Sequence, residues 1–417
     1  MDKFVIEGGH RLEGIIPISG AKNSALKLMA ASLLAKGPVT LKNVPSIADV
    51  LLMIRLLEYL GLSVRKEGSR LEISGTATRT DAPYDIVTKM RASVLVLGPL
   101  LARYGEASVS LPGGCAIGTR PVDLHLKALE AIGAEISLEQ GDIQAKAPNG
   151  LKGAVHHLAF PSVGATENMM MAATLAEGTT ELQNAACEPE IADLANFLNT
   201  LGAKISGAGT SIIKIEGVKA LHGGEYAVIA DRIEAGTYAV AGAITGGDIL
   251  LEGALPSSMQ KILDSLRASG ATVSLDAKGI RVQGGELIKP QNIRTEPYPG
   301  FPTDMQAQLM ALLTFAKGTS TVTETIFENR FMHVQELIRM GANITLNGRE
   351  ATIQGVENLQ GAKVMATDLR ASFSLILAGL RAQGITELRR VYHLDRGYEG
   401  VEQKLSACGA KISRVKE

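Results

Sequence analysis

One short phrase occurs six times along the chain, and it constrains the fold more than any other feature of the sequence. The phrase is a leucine-rich stretch that ends in glycine and a small or aliphatic residue, as in Leu129-Glu-Ala-Ile-Gly133-Ala134. Its glycines are Gly61, Gly133, Gly202, Gly270, Gly341 and Gly409, at successive spacings of 72, 69, 68, 71 and 68 residues. A period this regular indicates one supersecondary unit that is used six times.

A second phrase, rich in alanine and leucine, also ends in glycine and keeps the same period. Its glycines are Gly37, Gly105, Gly178, Gly246, Gly318 and Gly384. Both phrases are typical of amphipathic helices that end at a glycine C-cap. Alternating segments between the helices, such as 39–43 and 212–216, predict short strands. Each unit is therefore predicted to run helix, strand, helix, strand, strand.

The two ends of the chain are predicted to share the sixth unit. That unit stops at Glu417 without a closing strand, and residues 4–9 resemble residues 280–285, the closing strand of another unit. A chain of 417 residues also exceeds the usual size of a single hydrophobic core. We therefore expect two domains of three units each, with a cleft between them. The expected domains are 22–229 and 1–21 plus 230–417. A stacked solenoid without a site is the alternative.

Composition limits the partners and the compartment. Lys and Arg number 42 against 43 Asp and Glu, so no global field favours nucleic acid or an anionic membrane. The cysteines Cys115, Cys187 and Cys408 are far apart and form no C-x-x-C pair, which argues against a disulfide framework and a zinc site. The N-terminus lacks a signal-like segment, and no apolar run has the length of a membrane span. We expect a soluble, cytoplasmic protein that binds no metal.

The repeat register shows which positions depart from a purely structural pattern. Fourteen residues before each second-phrase glycine, near the predicted start of the first helix, stand Asn23, Arg91, Gly164, Arg232, Asp304 and Arg370. Thirteen residues before the first-phrase glycines, at the predicted start of the second helix, Arg120 and Arg396 hold equivalent places. The helix macrodipole disfavours arginine there, so the pattern indicates a bound anion. Ordinary solvated arginines are the alternative.

Three residues stand in local contexts that suit chemistry. Lys22 follows the turn Ser19-Gly-Ala and opens an apolar helix, which suits a phosphate but also fits an ordinary lysine near a helix cap. Cys115 lies among three glycines, five residues before Arg120, whose guanidinium would favour the thiolate; a tight turn with an incidental cysteine is the alternative. Asp304 stands where other units carry Arg or Asn, so it is either a general base or a helix N-cap.

Five segments closely resemble the UDP-N-acetylglucosamine 1-carboxyvinyltransferases of the enolpyruvyl transferase family. They are 19–25, 112–125 with its Pro112-Gly-Gly-Cys115-Ala-Ile-Gly-Thr-Arg120 run, 161–168, 300–304 and 367–370. The resemblance covers the full chain and implies an α/β (α+β) fold, a two-domain inside-out α/β barrel built from six repeats, three per domain. It implies transfer of the enolpyruvyl group of phosphoenolpyruvate to the 3′-hydroxyl of UDP-N-acetylglucosamine without a cofactor. This reaction is the first committed step of peptidoglycan synthesis, and so serves cell wall biogenesis, cell shape and cell division.

The same resemblance implies the site residues. Phosphoenolpyruvate would be bound by Lys22, Asn23, Arg120 and Arg396. UDP-N-acetylglucosamine would be bound by Asn23, Arg91, Arg120, Pro121, Val122, Asp123, Leu124, His125, Ser162, Val163, Gly164, Asp304 and Ile326. The cleft would be supported by Arg330, Asp368 and Arg370.

Catalysis is assigned by the resemblance to Cys115, Asp304, Lys22 and Arg396. Cys115 would protonate C3 of the enol, and Asp304 would take the proton of the attacking hydroxyl. The loop around Cys115 would act as a lid, and the antibiotic fosfomycin would alkylate its thiol.

Two other functions remain open on the sequence. A transferase for another acceptor, such as shikimate 3-phosphate, would share the six-unit fold, but that sister enzyme has no equivalent of the Cys115 loop. A non-catalytic nucleotide-sugar sensor would be expected to have lost Cys115, Asp304 or one of the phosphate-binding cations, and all are present. We expect a monomer or weak oligomer that acts on small molecules.

Overall fold

The computed structural model describes residues 2–111 and 122–416 and divides into two compact units. Unit A holds residues 20–111 and 122–229, and unit B holds residues 2–19 and 230–416. Each unit buries its own apolar core, which is built largely from Ala, Leu, Ile and Val side chains. The described chain passes from one unit to the other between residues 19 and 20 and between residues 229 and 230.

The α-helices of the described residues are numbered in chain order. They are α1 (Lys22–Ala31), α2 (Ala48–Tyr59), α3 (Tyr84–Val87), α4 (Leu97–Tyr104), α5 (Asp123–Ala131), α6 (Val163–Ala173), α7 (Pro189–Thr200), α8 (Arg232–Ile244), α9 (Gln260–Ala268), α10 (Gln306–Leu313), α11 (Val334–Arg339), α12 (Ala371–Arg381) and α13 (Val401–Ala407). Short 3-10 helices span Ser32–Leu34, Arg91–Val96, Pro256–Ser258, Thr303–Met305 and Val391–Arg396. None of these helices is long and apolar enough to cross a membrane.

The strands of the described residues are numbered in the same way. They are β1 (Asp2–Glu7), β2 (Glu13–Pro17), β3 (Val39–Lys42), β4 (Ser63–Glu67), β5 (Arg70–Ser74), β6 (Asp81–Ala82), β7 (Glu106–Ser110), β8 (Glu135–Glu139), β9 (Asp142–Lys146), β10 (Val155–His157), β11 (Thr179–Gln183), β12 (Lys204–Ser206), β13 (Ile212–Glu216), β14 (Gly224–Ala227), β15 (Asp248–Glu252), β16 (Thr272–Asp276), β17 (Gly279–Gln283), β18 (Asn292–Arg294), β19 (Thr319–Thr323), β20 (Asn343–Asn347), β21 (Glu350–Gln354), β22 (Lys363–Met365), β23 (Ile385–Arg389) and β24 (Lys411–Lys416).

These strands form six four-stranded sheets with one shared topology. The sheets of unit A are β14-β3-β5-β4, β6-β7-β9-β8 and β10-β11-β13-β12. The sheets of unit B are β2-β15-β17-β16, β18-β19-β21-β20 and β22-β23-β1-β24. In every sheet the first pair is parallel and the other two pairs are antiparallel. The sixfold sequence period is therefore a sixfold structural repeat.

The N-terminal strand completes the sixth sheet, which confirms that strand pairing. In β1, Phe4 is opposite Leu388 of β23 on one side and Arg414 of β24 on the other. The alternating burial of β1, with Phe4 and Ile6 fully buried, fixes the register of this pairing.

Each of the six repeats also contains a strand that the sequence analysis missed. A short strand precedes the first helix and pairs parallel with the next strand, as β10 does with β11 and β18 with β19. These strands are β2, β6, β10, β14, β18 and β22, and several have only two or three residues. A segment this short shows no measurable alternation, so periodicity cannot reveal it.

The two helices of each sequence repeat differ in burial, and the prediction that both are amphipathic is wrong for the first of them. The first helix of a repeat is buried on nearly every face: all of α8 is buried, and so is α10. In unit B these inner helices, α8, α10 and α12, pack against one another. The second helices, such as α9, are amphipathic as predicted, because they bury one face and expose the other.

The first-phrase glycines end the second helices as predicted. All six have φ between 93° and 107°, a left-handed conformation that suits glycine at a helix C-cap. One helix start was predicted wrongly, since Arg396 is the last residue of the 3-10 helix Val391–Arg396 and α13 begins only at Val401. Gly397 and Gly400 separate the two elements, and Gly400 is itself left-handed.

Candidate active site

Lys22 is the first residue of α1 and is buried with a carboxylate. Its ammonium lies 2.8 Å from Oδ2 of Asp49, which is the second residue of α2, and both side chains are less than a tenth exposed. Asn23 follows and is half-buried. No acidic residue occupies the first turn of α1, and Ala21 at its N-cap provides no side-chain acceptor. The positive end of this helix therefore carries a lysine whose charge is balanced from a neighbouring helix.

A second cluster in unit A brings together three residues that the sequence assigned to one ligand. A Cβ on Gly164 of α6 would lie 2.8 Å from Cε1 of His125, so only glycine fits against this imidazole ring. Nδ1 of His125 is 3.0 Å from the amide nitrogen of Asn168, which fixes the ring. Burial and, to a smaller degree, the charge of Arg91 lower the pKa of His125 to about 4. His125 is therefore neutral near pH 7, and it lies beside Gly164 and Arg91.

The neighbouring predicted residues of unit A lie at the beginnings of α5 and α6. Ser162 is the N-cap of α6, where its hydroxyl accepts a hydrogen bond from the amide of Ala165 at 3.3 Å, and Val163 follows it. Val122 is buried, Asp123 is exposed and Leu124 is half-buried. The predictions for Cys115, Arg120 and Pro121 lie outside the described residues.

In unit B, Asp304 is held between two buried arginines. Its Oδ1 lies 2.9 Å from Nη2 of Arg330 and its Oδ2 lies 3.3 Å from Nε of Arg370. Both guanidinium side chains are only 4% exposed, whereas Asp304 is 26% exposed. The two guanidinium groups stabilise the ionised carboxylate and fix the orientation of the Asp304 side chain. The structure thus joins Asp304 with Arg330 and Arg370, which the sequence had placed only in supporting roles.

A buried glutamate that the sequence analysis missed shapes the segment carrying Ile326. Oε1 of Glu324 accepts hydrogen bonds from the amides of Ile326 and Phe327 at 2.8 and 3.1 Å. Its Oε2 accepts from the hydroxyl of Thr303 at 2.9 Å, and Thr303 in turn accepts from Nη1 of Arg330 at 3.3 Å. Glu324 therefore links the Ile326 segment to the Asp304 clamp. An isolated Glu after a strand gives no sequence signal of this role.

Asp368 and Arg370 form the beginning of α12. Oδ1 of Asp368 accepts from the amides of Arg370 and Ala371 at 2.8 and 3.0 Å, which caps the helix. The guanidinium of Arg370 lies over the ring of Tyr398, 5.2 Å from its centroid. Burial alone would lower the pKa of Arg370, but Tyr398 and Asp304 outweigh it and leave the pKa raised. Arg370 therefore stays charged. Arg396 is half-buried at the end of the 3-10 helix Val391–Arg396.

Comparison with known proteins gives the class to which this fold belongs. A family model described as EPSP synthase (3-phosphoshikimate 1-carboxyvinyltransferase) matches residues 6–405. The chain therefore belongs to the EPSP synthase family of enolpyruvyl transferases. It is similar to the solved enolpyruvyl transferase NikO from Streptomyces tendae, with a TM-score of 0.88 and 25% identity over 100% of this chain and 99% of that chain. The inside-out α/β barrel implied by the sequence resemblance is confirmed.

Two relatives narrow the class to one branch. The chain is 61% identical over 420 residues to a UDP-N-acetylglucosamine 1-carboxyvinyltransferase of Gluconacetobacter diazotrophicus. It is 60% identical over 418 residues to a protein of the same name from Gluconobacter oxydans. In both comparisons all of this chain and all of the relative are covered.

Proposed function

We propose that this chain transfers the enolpyruvyl group of phosphoenolpyruvate to the 3′-hydroxyl of UDP-N-acetylglucosamine and releases phosphate. The observation that carries the proposal is the full-length identity of about 60% to relatives of that name. The reaction would supply peptidoglycan synthesis from the cytoplasm, and it uses two anionic small molecules that the cationic side chains of both units suit.

Phosphoenolpyruvate is assigned to three cationic side chains and one asparagine. Lys22, Asn23, Arg120 and Arg396 bind phosphoenolpyruvate, and Lys22 lies at the positive end of α1, where backbone amides add to its charge. The same cations stabilise the phosphate as it leaves, in a site from which water is excluded. The repeat register, in which Arg120 and Arg396 hold equivalent places, supports this assignment.

The acceptor is assigned to the Gly164–His125 cluster and to the Asp304 clamp. The nucleotide sugar is bound by Asn23, Arg91, Arg120, residues 121 to 125, Ser162 to Gly164 and Ile326. Asp304 takes the proton from the 3′-hydroxyl while Arg330 and Arg370 keep its carboxylate ionised and oriented. Asp368 supports this arrangement by capping the helix that follows Arg370.

The chemistry is an addition followed by an elimination. Cys115 donates a proton to C3 of the enol, C2 becomes electrophilic, and the 3′-oxygen forms a bond to C2 as Asp304 accepts its proton. The tetrahedral intermediate then loses a C3 proton and phosphate, which leaves a vinyl ether on the sugar. The thiol of Cys115 is the group that fosfomycin would alkylate.

The test is release of inorganic phosphate from phosphoenolpyruvate with either UDP-N-acetylglucosamine or shikimate 3-phosphate as acceptor. Each reaction is run with and without fosfomycin pretreatment. Release that needs the nucleotide sugar and is blocked by fosfomycin supports the proposal. Release only with shikimate 3-phosphate assigns the chain to the other acceptor, and binding of the nucleotide sugar without release indicates a sensor.

A further inference from the structure

The interior of unit A contains a charged pair that the proposed mechanism does not use. The ammonium of Lys27, in the second turn of α1, lies 3.2 Å from Oε1 of Glu167 on α6. The two side chains are 10% and 1% exposed. Among the described residues, no donor other than Lys27 approaches the carboxylate oxygens of Glu167. A buried carboxylate in this condition is costly when it is charged, so the site favours proton uptake.

Charged groups on α1 and α7 act on Glu167. From α7 and the residue before it, Glu190 and Glu188 add negative charge, and Lys27 of α1 opposes them. Further along α7, Asp193 accepts hydrogen bonds from Ser24 of α1 and Tyr226, and burial raises its pKa. On α5 and the 3-10 helix before α4, His125 and Arg91 keep a constant charge near neutrality, because His125 has a pKa of about 4.

Ionisation of Glu167 changes the charge behind α1 by one unit. Burial raises the pKa of Glu167 to about 7, against the opposing effect of Lys27. When Glu167 is ionised, its charge cancels that of Lys27; when it is protonated, Lys27 leaves a net positive charge. Lys22 begins the same helix, five residues and about 7.5 Å of helical rise away. The pair therefore lies within electrostatic reach of whatever anion Lys22 binds.

We propose that Glu167, through Lys27, sets the electrostatic potential at the N-terminus of α1. The affinity for phosphoenolpyruvate is thereby linked to the protonation of Glu167. The proposal rests on the assignment of phosphoenolpyruvate to Lys22 made above. Its sign is fixed by the geometry. A protonated Glu167 strengthens binding of the anion, an ionised Glu167 weakens it, and binding of the anion draws a proton onto Glu167.

The experiment measures KM for phosphoenolpyruvate from about pH 6 to about pH 8.5, at saturating UDP-N-acetylglucosamine. Three variants are compared with the wild type: Glu167→Gln, the doubly neutral Lys27→Met/Glu167→Leu, and the control Glu387→Gln. Glu387 is a suitable control because it also pairs with a lysine, Lys3, at 2.8 Å, but on strands β23 and β1 of unit B and outside the assigned binding residues. Ratios of wild-type to variant KM cancel the titration of the substrate itself.

For Glu167→Gln we expect a ratio near one at about pH 6 and roughly five at about pH 8.5, as befits a unit charge about 10 Å away. The doubly neutral variant should keep the high wild-type KM of alkaline pH at every pH, because its net charge is always zero. Glu387→Gln should leave the pH profile unchanged, because the hydrogen bond from Lys3 lowers the pKa of Glu387 and keeps it ionised over this range. Ratios for Glu167→Gln that do not vary with pH, in an enzyme that turns over, would overturn the inference.

A second readout does not depend on turnover. Calorimetric titration with phosphoenolpyruvate at about pH 7.5, in two buffers of different ionisation enthalpy, gives the protons taken up on binding. The wild type should take up a larger fraction of a proton than Glu167→Gln, and equal uptake would contradict the proposal. A chain that binds phosphoenolpyruvate but releases no phosphate with either acceptor would refute the proposed function alone. A chain that binds no phosphoenolpyruvate refutes both.

Discussion

Both units bury a lysine–glutamate pair against an inner helix, and the two pairs are built differently. In unit B, Glu234 of α8 accepts hydrogen bonds from Lys404 at 2.7 Å and from the amide of Ser19 at 2.6 Å. In unit A, Glu167 lies 3.2 Å from Lys27, and no other donor within the described ranges reaches its oxygens. Burial raises the pKa of both carboxyls; hydrogen bonds from Lys404 and Ser19 oppose that rise at Glu234, and Lys27 opposes it at Glu167.

The helix beginnings of the two units also differ, in the sign of the charge that they carry. In unit A, α1 begins with Lys22, whose partner is Asp49 of α2. In unit B, the 3-10 turn before α10 carries Asp304, which has two arginine partners. In the repeat register Asp304 is equivalent to Asn23, so the cation Lys22 precedes by one residue the position that carries the clamped carboxylate in unit B. The same repeat thus presents different chemistry in the two units, and the following changes test that difference.

The largest effect is expected at the Asp304 clamp. Asp304→Asn keeps the shape but removes the proton acceptor, so kcat should fall about a thousandfold. Steady-state phosphate release measures this, with circular dichroism as a check of folding. Asp248→Asn, at the exposed Arg281–Asp248 pair of unit B, is the control and should keep full activity. A loss at Asp304 of less than about tenfold would remove it from the chemistry.

The Lys22–Asp49 pair separates a binding role from a structural one. Lys22→Met removes the lysine partner of the buried Asp49 carboxylate, so we expect a loss of about 3 kcal/mol in the free energy of unfolding and about a hundredfold loss in kcat/KM. In Lys22→Met/Asp49→Asn, denaturant titration should show the stability restored while kcat/KM remains low. Recovery of both in the double variant would show that Lys22 serves only to pair with Asp49.

The two buried glutamates should respond differently to substitution by glutamine. Because the pKa of Glu167 rises from 4.5 to about 7 on folding, its stabilising contribution is complete below pH 4.5 and is lost as pH rises through 7, by about 3 kcal/mol. Glu167→Gln should therefore gain stability relative to wild type between about pH 5 and pH 8. Glu234→Gln should lose about 1–3 kcal/mol, since the amide cannot accept from both Ser19 and Lys404. Urea titrations at both pH values that give the same difference for Glu167→Gln would contradict this contrast.

The smallest of these effects is expected at Gly164. A methyl group there would lie 2.8 Å from the His125 ring, which Asn168 holds in place. Gly164→Ala should raise KM for UDP-N-acetylglucosamine about tenfold, in the range for a misplaced binding group, and change kcat little. The control is Gly178→Ala, where a Cβ meets nothing within 4 Å but the backbone is left-handed, so any effect is on stability alone. An unchanged KM for Gly164→Ala would take the Gly164–His125 contact out of the acceptor site.

Most of the fold could be predicted from the period of the sequence repeat. Glycines such as Gly61 and Gly270 mark helix ends because the left-handed C-cap constrains a single position strongly. The pairing of β1 was visible because Phe4 and Ile6 alternate in the same way as a closing strand elsewhere. The parallel strands such as β6, with two residues, carry no such pattern.

The site was predicted only as far as residue type and repeat position allow. Asp304 and Arg370 were found because they occupy equivalent helix starts, but the register could not show that they form one ion pair. Glu324 and the Lys27–Glu167 pair arise from tertiary contacts, the latter between residues 140 positions apart in sequence. Arg396 was placed at a helix start because the register ignores the 3-10 helix and the glycines that precede α13.

The most direct test of the proposed function is to follow the transferred carbons. Phosphoenolpyruvate labelled with ¹³C at C2 is incubated with the enzyme and an equimolar mixture of UDP-N-acetylglucosamine and shikimate 3-phosphate, and the products are identified by mass spectrometry and NMR. We expect the label as a vinyl ether on the 3′-oxygen of the nucleotide sugar, with one phosphate released per label transferred. Label on shikimate 3-phosphate, or label that remains in phosphoenolpyruvate, would contradict the proposal.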